Sequence, residues 1–182
     1  MRSAGILLAA TLLCAAERSG PYLEAGAGLG SYNDDSRHAE ITTESVTQYR
    51  FDAGAFINDY LSVSLDYAQF GDFDGRTGTG ETSREAFKVL SAAVTGHYPV
   101  FNEWIDLYAR FGAGELYWDQ SRPERKSSSA GTVVCSIGVG VRAMEWLTVN
   151  AGYDLYQFGM YENKTSYDMS LGTAYVGIQV LF

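Results

Sequence analysis

Eight ionisable side chains sit at alternate positions in otherwise apolar or small-residue runs, and their types limit what the interior of this chain can do. Glu24, Asp52, Asp66, Asp106 and Asp154 stand against Arg50, Arg110 and Arg142. Arg50 and Asp52 interleave with Tyr49, Phe51 and Ala53, and Asp106 and Arg110 interleave with Ile105, Leu107, Ala109 and Phe111. Carboxylates and guanidinium groups gathered in one enclosed space are expected to pair, because an unpaired buried charge is costly. The sharper alternative for the same residues is a gated path for small ions.

Covalent chemistry finds little support. Acyl transfer or hydrolysis needs a serine or an acid with a histidine, and the chain has two histidines. His38 stands beside Asp34, Asp35 and Ser36 in a polar stretch without strand context, and His97 lies near the end of an alternating run. No acyltransferase or deacylase motif surrounds either, so no catalytic residue is assigned. Asp72-Phe73-Asp74-Gly75 begins like a calcium loop but lacks the distal ligand at the EF-hand spacing, so a turn is expected, with no metal and no cofactor. Arg122, Arg125 and Lys126 form a small basic cluster suited to lipopolysaccharide phosphates. The formal net charge of -9 argues against nucleic acid as a partner.

The elements that must carry these residues have the two-residue period of β-strands. Eight segments qualify. They run from about Tyr22 to Tyr32, Gln48 to Ile57, Tyr60 to Phe70, Glu85 to Tyr98, Ile105 to Trp118, Thr132 to Ala143, Leu147 to Leu155 and Ala174 to Phe182. In each, one parity is apolar and the other polar, charged or glycine. The fourth departs from this, with Phe87 and Val89 on one parity and Leu90, Ala92, Val94 and Tyr98 on the other, which predicts a bulge near Val89 to Ser91. Each segment is near the roughly 9 to 11 residues that a tilted strand needs to cross a bilayer. Apolar outside and polar inside describes a barrel in lipid, not a soluble sandwich.

Connections alternate. Short ones follow the second, fourth and sixth strands at Asn58-Asp59, Pro99 to Trp104 and Met144 to Trp146, and long polar ones follow the first, third, fifth and seventh. Short periplasmic turns with long outer loops leave both termini in the periplasm. Aromatic girdles are expected at Tyr60, Tyr98, Phe101, Trp104, Trp146 and Phe182 on the turn side, and at Tyr32, Tyr49, Tyr117, Trp118, Tyr156 and Phe158 on the loop side.

At the start, Arg2 precedes an apolar core from Ala4 to Leu13, too short to span a bilayer and typical of a signal peptide cut after Ala16. Residues 1–16 are read as signal and 17–182 as one barrel domain. Cleavage removes one cation and no acid, which moves the net charge from -9 to -10, and leaves Cys135 without an intramolecular disulfide partner.

Val176, Ile178, Val180 and Phe182 resemble the C-terminal signature by which bacterial outer-membrane barrels are recognised for assembly, with Val180 where an aromatic is often found. The mature chain as a whole resembles the small eight-stranded outer-membrane barrels related to the membrane domain of outer-membrane protein A and to the opacity adhesins. Glu24-Ala25-Gly26-Ala27-Gly28-Leu29-Gly30, Arg110-Phe111-Gly112-Ala113-Gly114, Ala151 to Phe158 and Ala174-Tyr175-Val176-Gly177 carry the resemblance. It implies an all-β, eight-stranded antiparallel up-and-down transmembrane β-barrel in the bacterial outer membrane. Outer-membrane lipid, lipopolysaccharide and the barrel-assembly machinery are the implied partners, and the outer loops would meet a host or surface ligand through residues such as Phe73, Tyr161 and Tyr167. The function expected is adhesion, surface interaction or envelope integrity, with a lipid A-modifying enzyme as the alternative.

Overall fold

The period-two runs fold as antiparallel strands in one sheet. A computed structural model describes residues 18–33, 39–41, 45–77, 81–101, 104–122, 126–162 and 165–182. The strands are β1 (Gly20–Asn33), β2 (Ala39–Ile41), β3 (Val46–Asn58), β4 (Leu61–Phe70), β5 (Phe73–Thr77), β6 (Thr82–Val100), β7 (Ile105–Arg122), β8 (Lys126–Met144), β9 (Leu147–Glu162) and β10 (Thr165–Leu181). All except β2 and β5 are staves of a closed, eight-stranded up-and-down barrel, in which each pairs with its successor and β10 pairs back onto β1. Closure leaves no unpaired edge for hydrocarbon to meet. Among the described residues no helix is long and apolar enough to cross a membrane.

At the seam, Gly20 has φ 130°, and a Cβ there would come within 2.7 Å of the Phe182 carbonyl oxygen, so both conformation and space demand glycine. The tight turn after β3 is held by the Asn58 side chain, whose Oδ1 accepts from the Tyr60 amide at 2.9 Å. β5 takes over from β4 alongside β6 after a break at residues 71–72, and β2 pairs with β5.

Two expectations fail here for one physical reason. Pairing of β6 with both β4 and β7 runs unbroken through Val89 to Ser91, and the register shift lies instead between Arg84 and Glu85. No bulge is needed, because the lumen is not polar throughout. Towards the loop end it is filled by an apolar cluster in which Phe87, Phe73, Leu116 and Leu171 are fully buried. The same cluster claims Tyr32, Trp118, Tyr156 and Phe158, which face inward and are not part of an outer girdle. Phe73 is likewise lost as a surface contact. Tyr49 and Tyr117 do face outward at that end, as do Tyr60, Tyr98, Phe101, Trp104, Trp146 and Phe182 at the turn end.

The long connections are also more regular than their polarity suggests. β7 and β8 pair up to Gln120 with Lys126, and β9 and β10 up to Glu162 with Thr165. Polar composition marks strand that has left the lipid rather than unstructured loop. Phe87→Ala should cost about 3–5 kcal/mol by opening a cavity in the cluster. Leu90→Ala, three residues on and facing outward, should cost much less; urea unfolding in detergent compares the two.

Candidate functional site

Inward-facing residues stack in three tiers. At the turn end, Arg18 folds into the mouth of the barrel just before β1. Its Nη1 donates to Asp106 Oδ2 at 2.8 Å and its Nη2 to Gln179 Oε1 at 3.2 Å, while the guanidinium lies 3.9 Å from the centre of the Phe56 ring. Its backbone amide donates to Asp59 Oδ1 at 2.6 Å. Burial pulls its pKa below the ordinary arginine value, with the Asp106 carboxylate opposing that pull and the nearby Arg142 reinforcing it.

Asp106 Oδ2 also accepts from His97 Nδ1 at 2.8 Å, and His97 Nε2 lies 2.9 Å from Ser62 Oγ. These are the atoms of a nucleophilic triad. Ser62, however, is fully buried and paired through both neighbouring strands, opposite Phe56 on one side and Thr95 on the other. Asp106 is shared with Arg18, and the adjoining cavity is about 20 Å³, room for one water molecule and no acyl substrate. The arrangement locks the turn-end mouth.

The middle tier gathers five of the eight expected charges into one cluster. Arg50 pairs with Asp52 through Nη2 and with Asp154 Oδ2 through Nη1 at 3.1 Å. Arg110 reaches Asp66 Oδ1 at 3.0 Å, Asp154 Oδ1 at 3.2 Å and Asp52 Oδ2 at 3.4 Å, and its Nε donates to Ser136 Oγ at 3.2 Å. Glu24 sits beside this cluster and accepts from Asn150 Nδ2 at 2.8 Å. Asp106 pairs with Arg18 and His97 in the turn-end tier, and Arg142 lies near Arg18 there.

Aromatic side chains tie the tiers together. Arg50 stacks 4.1 Å from the Tyr175 ring centre, the Tyr175 and Tyr108 hydroxyls are 2.6 Å apart, and Tyr156 donates to Asp154 Oδ2 at 3.2 Å from the apolar tier above. Strand parity puts Asp106, Tyr108, Ser62 and Tyr175 on the lumen side, but it does not reveal Arg18, which precedes β1, and Tyr156 is expected in the outer girdle instead. The signal for Ser62 and His97 was present in the hairpin registers: short turns after β3 and β6 oblige the strands around them to meet near their turn ends.

Other expected sites fare variously. Val176, Ile178 and Phe182 face outward, with Val180 half-buried on the same parity. Cys135 is a free, outward-facing thiol. Arg122 and Lys126 lie at the ends of β7 and β8, while Arg125 and His38 fall outside the described residues. Among the described residues no group of acidic, histidine or cysteine side chains could hold a metal ion.

An apolar exterior around a charged, filled lumen defines a small transmembrane β-barrel. The chain belongs to the outer membrane protein beta-barrel domain family, whose model matches residues 3–182, and it is an integral outer-membrane barrel. Neisserial surface protein A has the same fold, with 16% identity and a TM-score of 0.67 over 90% of this chain and 98% of its own. Ail, the attachment invasion locus protein of Yersinia pestis, aligns at 14% identity and TM-score 0.58, covering 91% of this chain and 99% of Ail. The N-terminal barrel of Pseudomonas aeruginosa OprF aligns at 14% and 0.55, covering 89% and 99%. No curated protein sequence matches the chain.

Two substitutions separate paired from unpaired burial. Arg110→Ala strips a partner from Asp52, Asp66 and Asp154 and should cost about 3–5 kcal/mol. Gln48 is fully buried with neither amide atom bonded among the described residues, so Gln48→Met should hold stability or raise it by about 1 kcal/mol. Denaturant titrations of both variants in the same detergent check the contrast.

Proposed function

We propose that this barrel acts through its outward end, in adhesion or another surface interaction or in envelope integrity, and not by conduction or catalysis in its lumen. The observation that supports this reading is the filling of the lumen by a charged tier and an apolar tier in series, while the β7–β8 and β9–β10 hairpins continue as paired strands beyond the apolar wall. In this reading both termini and the three short turns are periplasmic, and residues 1–16 are a cleaved signal. The hairpin tips face the exterior. Arg122, Arg125 and Lys126 at the β7–β8 tip contact lipopolysaccharide phosphates, and Val176, Ile178, Val180 and Phe182 present the chain to the barrel-assembly machinery. The name of Ail, an attachment and invasion protein, lends the adhesion arm its support.

Expression in a non-adherent bacterium tests the reading. Wild-type cells should bind epithelial monolayers or resist detergent at least tenfold better than vector controls. Replacing residues 123–125 and 163–164 with Gly and Ser should abolish adhesion while leaving the heat-modifiable barrel band unchanged. A change of one acyl chain in the lipid A mass spectrum that depends on the protein would overturn the proposal in favour of an enzyme. Planar bilayers holding the purified protein should show no steady ion current.

A further inference from the structure

Just above the apolar band, the outer wall carries a groove of about 770 Å³ across β7, β8, β9, β10 and the end of β1. Its lower row runs through directly paired residues: Ala113 opposite Val133, Val133 opposite Gln157, Gln157 opposite Ser170 and Ser170 opposite Asn33. Going from β7 to β1 the row changes from apolar to amide and hydroxyl. The row above holds Gly131 on β8, and Gly159 on β9 opposite Asp168. Below Val133, β8 presents Cys135, Ile137, Val139 and Val141 on the same parity, so the groove opens where the lipid-facing surface ends.

Gly131 is the telling residue. Its φ is not in the left-handed region, so its backbone does not require glycine, and a Cβ there would meet nothing within 4 Å. Most inward glycines of the barrel make room for a neighbouring side chain or strand, as Gly54 does for Tyr22 and Gly30 for Phe70. Gly131 faces outward, and among the described residues none uses the space beside it.

We infer that this groove seats the sugar–acyl junction of an outer-leaflet glycolipid of the lipid A type, whose acyl chains are amide-linked and hydroxylated. Ala113 and Val133 receive the first methylenes of an acyl chain. Gln157 offers a donor and an acceptor to an amide or hydroxyl, and Asp168 accepts from a hydroxyl or amide N–H. A glycerophospholipid presents ester oxygens at that depth, which accept but do not donate, so it leaves the carboxylate unmatched. The inference rests on the orientation proposed above, with the hairpin tips in the outer leaflet.

The test uses purified, refolded protein in detergent, titrated with lipid A, phosphatidylethanolamine or phosphatidylglycerol and read by native mass spectrometry. This readout is independent of the adhesion assay, so either can fail alone. Wild type and Gly131→Ala should each bind one lipid A in preference to both phospholipids. Gly131→Trp projects an indole into the groove from a Cβ that meets no described atom within 4 Å, at a depth where interfaces favour one, and it should weaken lipid A binding at least tenfold with an unchanged heat-modifiable band. Gln157→Leu, which keeps the strand and removes the amide, should weaken it several-fold and carries the test if the tryptophan variant does not fold. Equal binding by wild type and the folded variants, or equal binding of lipid A and phosphatidylethanolamine to wild type, would overturn the inference.

Discussion

Two guanidinium groups held among three aspartates set the terms for the rest of this barrel. An eight-stranded lumen is only wide enough for side chains, and any charge inside it must find its counter-charge within a few ångströms. Arg50 and Arg110 come from β3 and β7, Asp66 from β4 and Asp154 from β9, so the cluster ties together strands that share no backbone ladder apart from β3 and β4. Removing one member leaves charges for which water is not at hand. That dependence makes the cluster a requirement of the closed state, whether or not it adds net stability over an apolar filling.

Above it the filling changes character. Phe70 meets Tyr156 edge-on at 5.7 Å, Phe73 meets Phe87 at 5.8 Å, and Phe87 meets Tyr32 at 5.1 Å. Ring packing of this kind needs no counter-charge, so the loop end of the lumen is sealed by shape where the middle is sealed by pairing. Tyr156 belongs to both, with its ring in the apolar tier and its hydroxyl on Asp154. Beyond the rings the interior turns polar again, where Glu85 accepts from Ser83 at 3.0 Å and from the Trp118 indole at 3.3 Å.

Much of this was legible in the residue pattern. Alternation identified the strands, and the parity of Arg50, Asp52, Asp66, Arg110 and Asp154 placed them inside, because a period of two leaves only one face for each residue. Failure came where the rule "apolar means outward" was pressed too far. Phe87, Val89, Trp118, Tyr156 and Phe158 obey their strand's parity and break its chemistry. A consistent parity argument would have put them in the lumen. Arg18 had no parity to read, since it precedes β1 and its position follows from Asp106, Gln179 and Phe56, which come from three different strands. The groove at Gly131 was illegible for a different reason, because a residue's lack of neighbours cannot be seen along a chain.

The filled interior and the lipid-facing wall also place unequal demands on sequence drift. An outward position such as Ile137 or Val176 has only to remain apolar, so substitution there can proceed one residue at a time. An inward position such as Asp154 touches two arginines and a tyrosine, and Gly54 lies under the ring of Tyr22, so changes there must arrive as compensated sets. Over long divergence the wall wanders freely while the interior jumps between alternative fillings. Two such barrels can therefore superpose along nearly their whole length while sharing about one residue in six, as this chain does at 16% identity with Neisserial surface protein A.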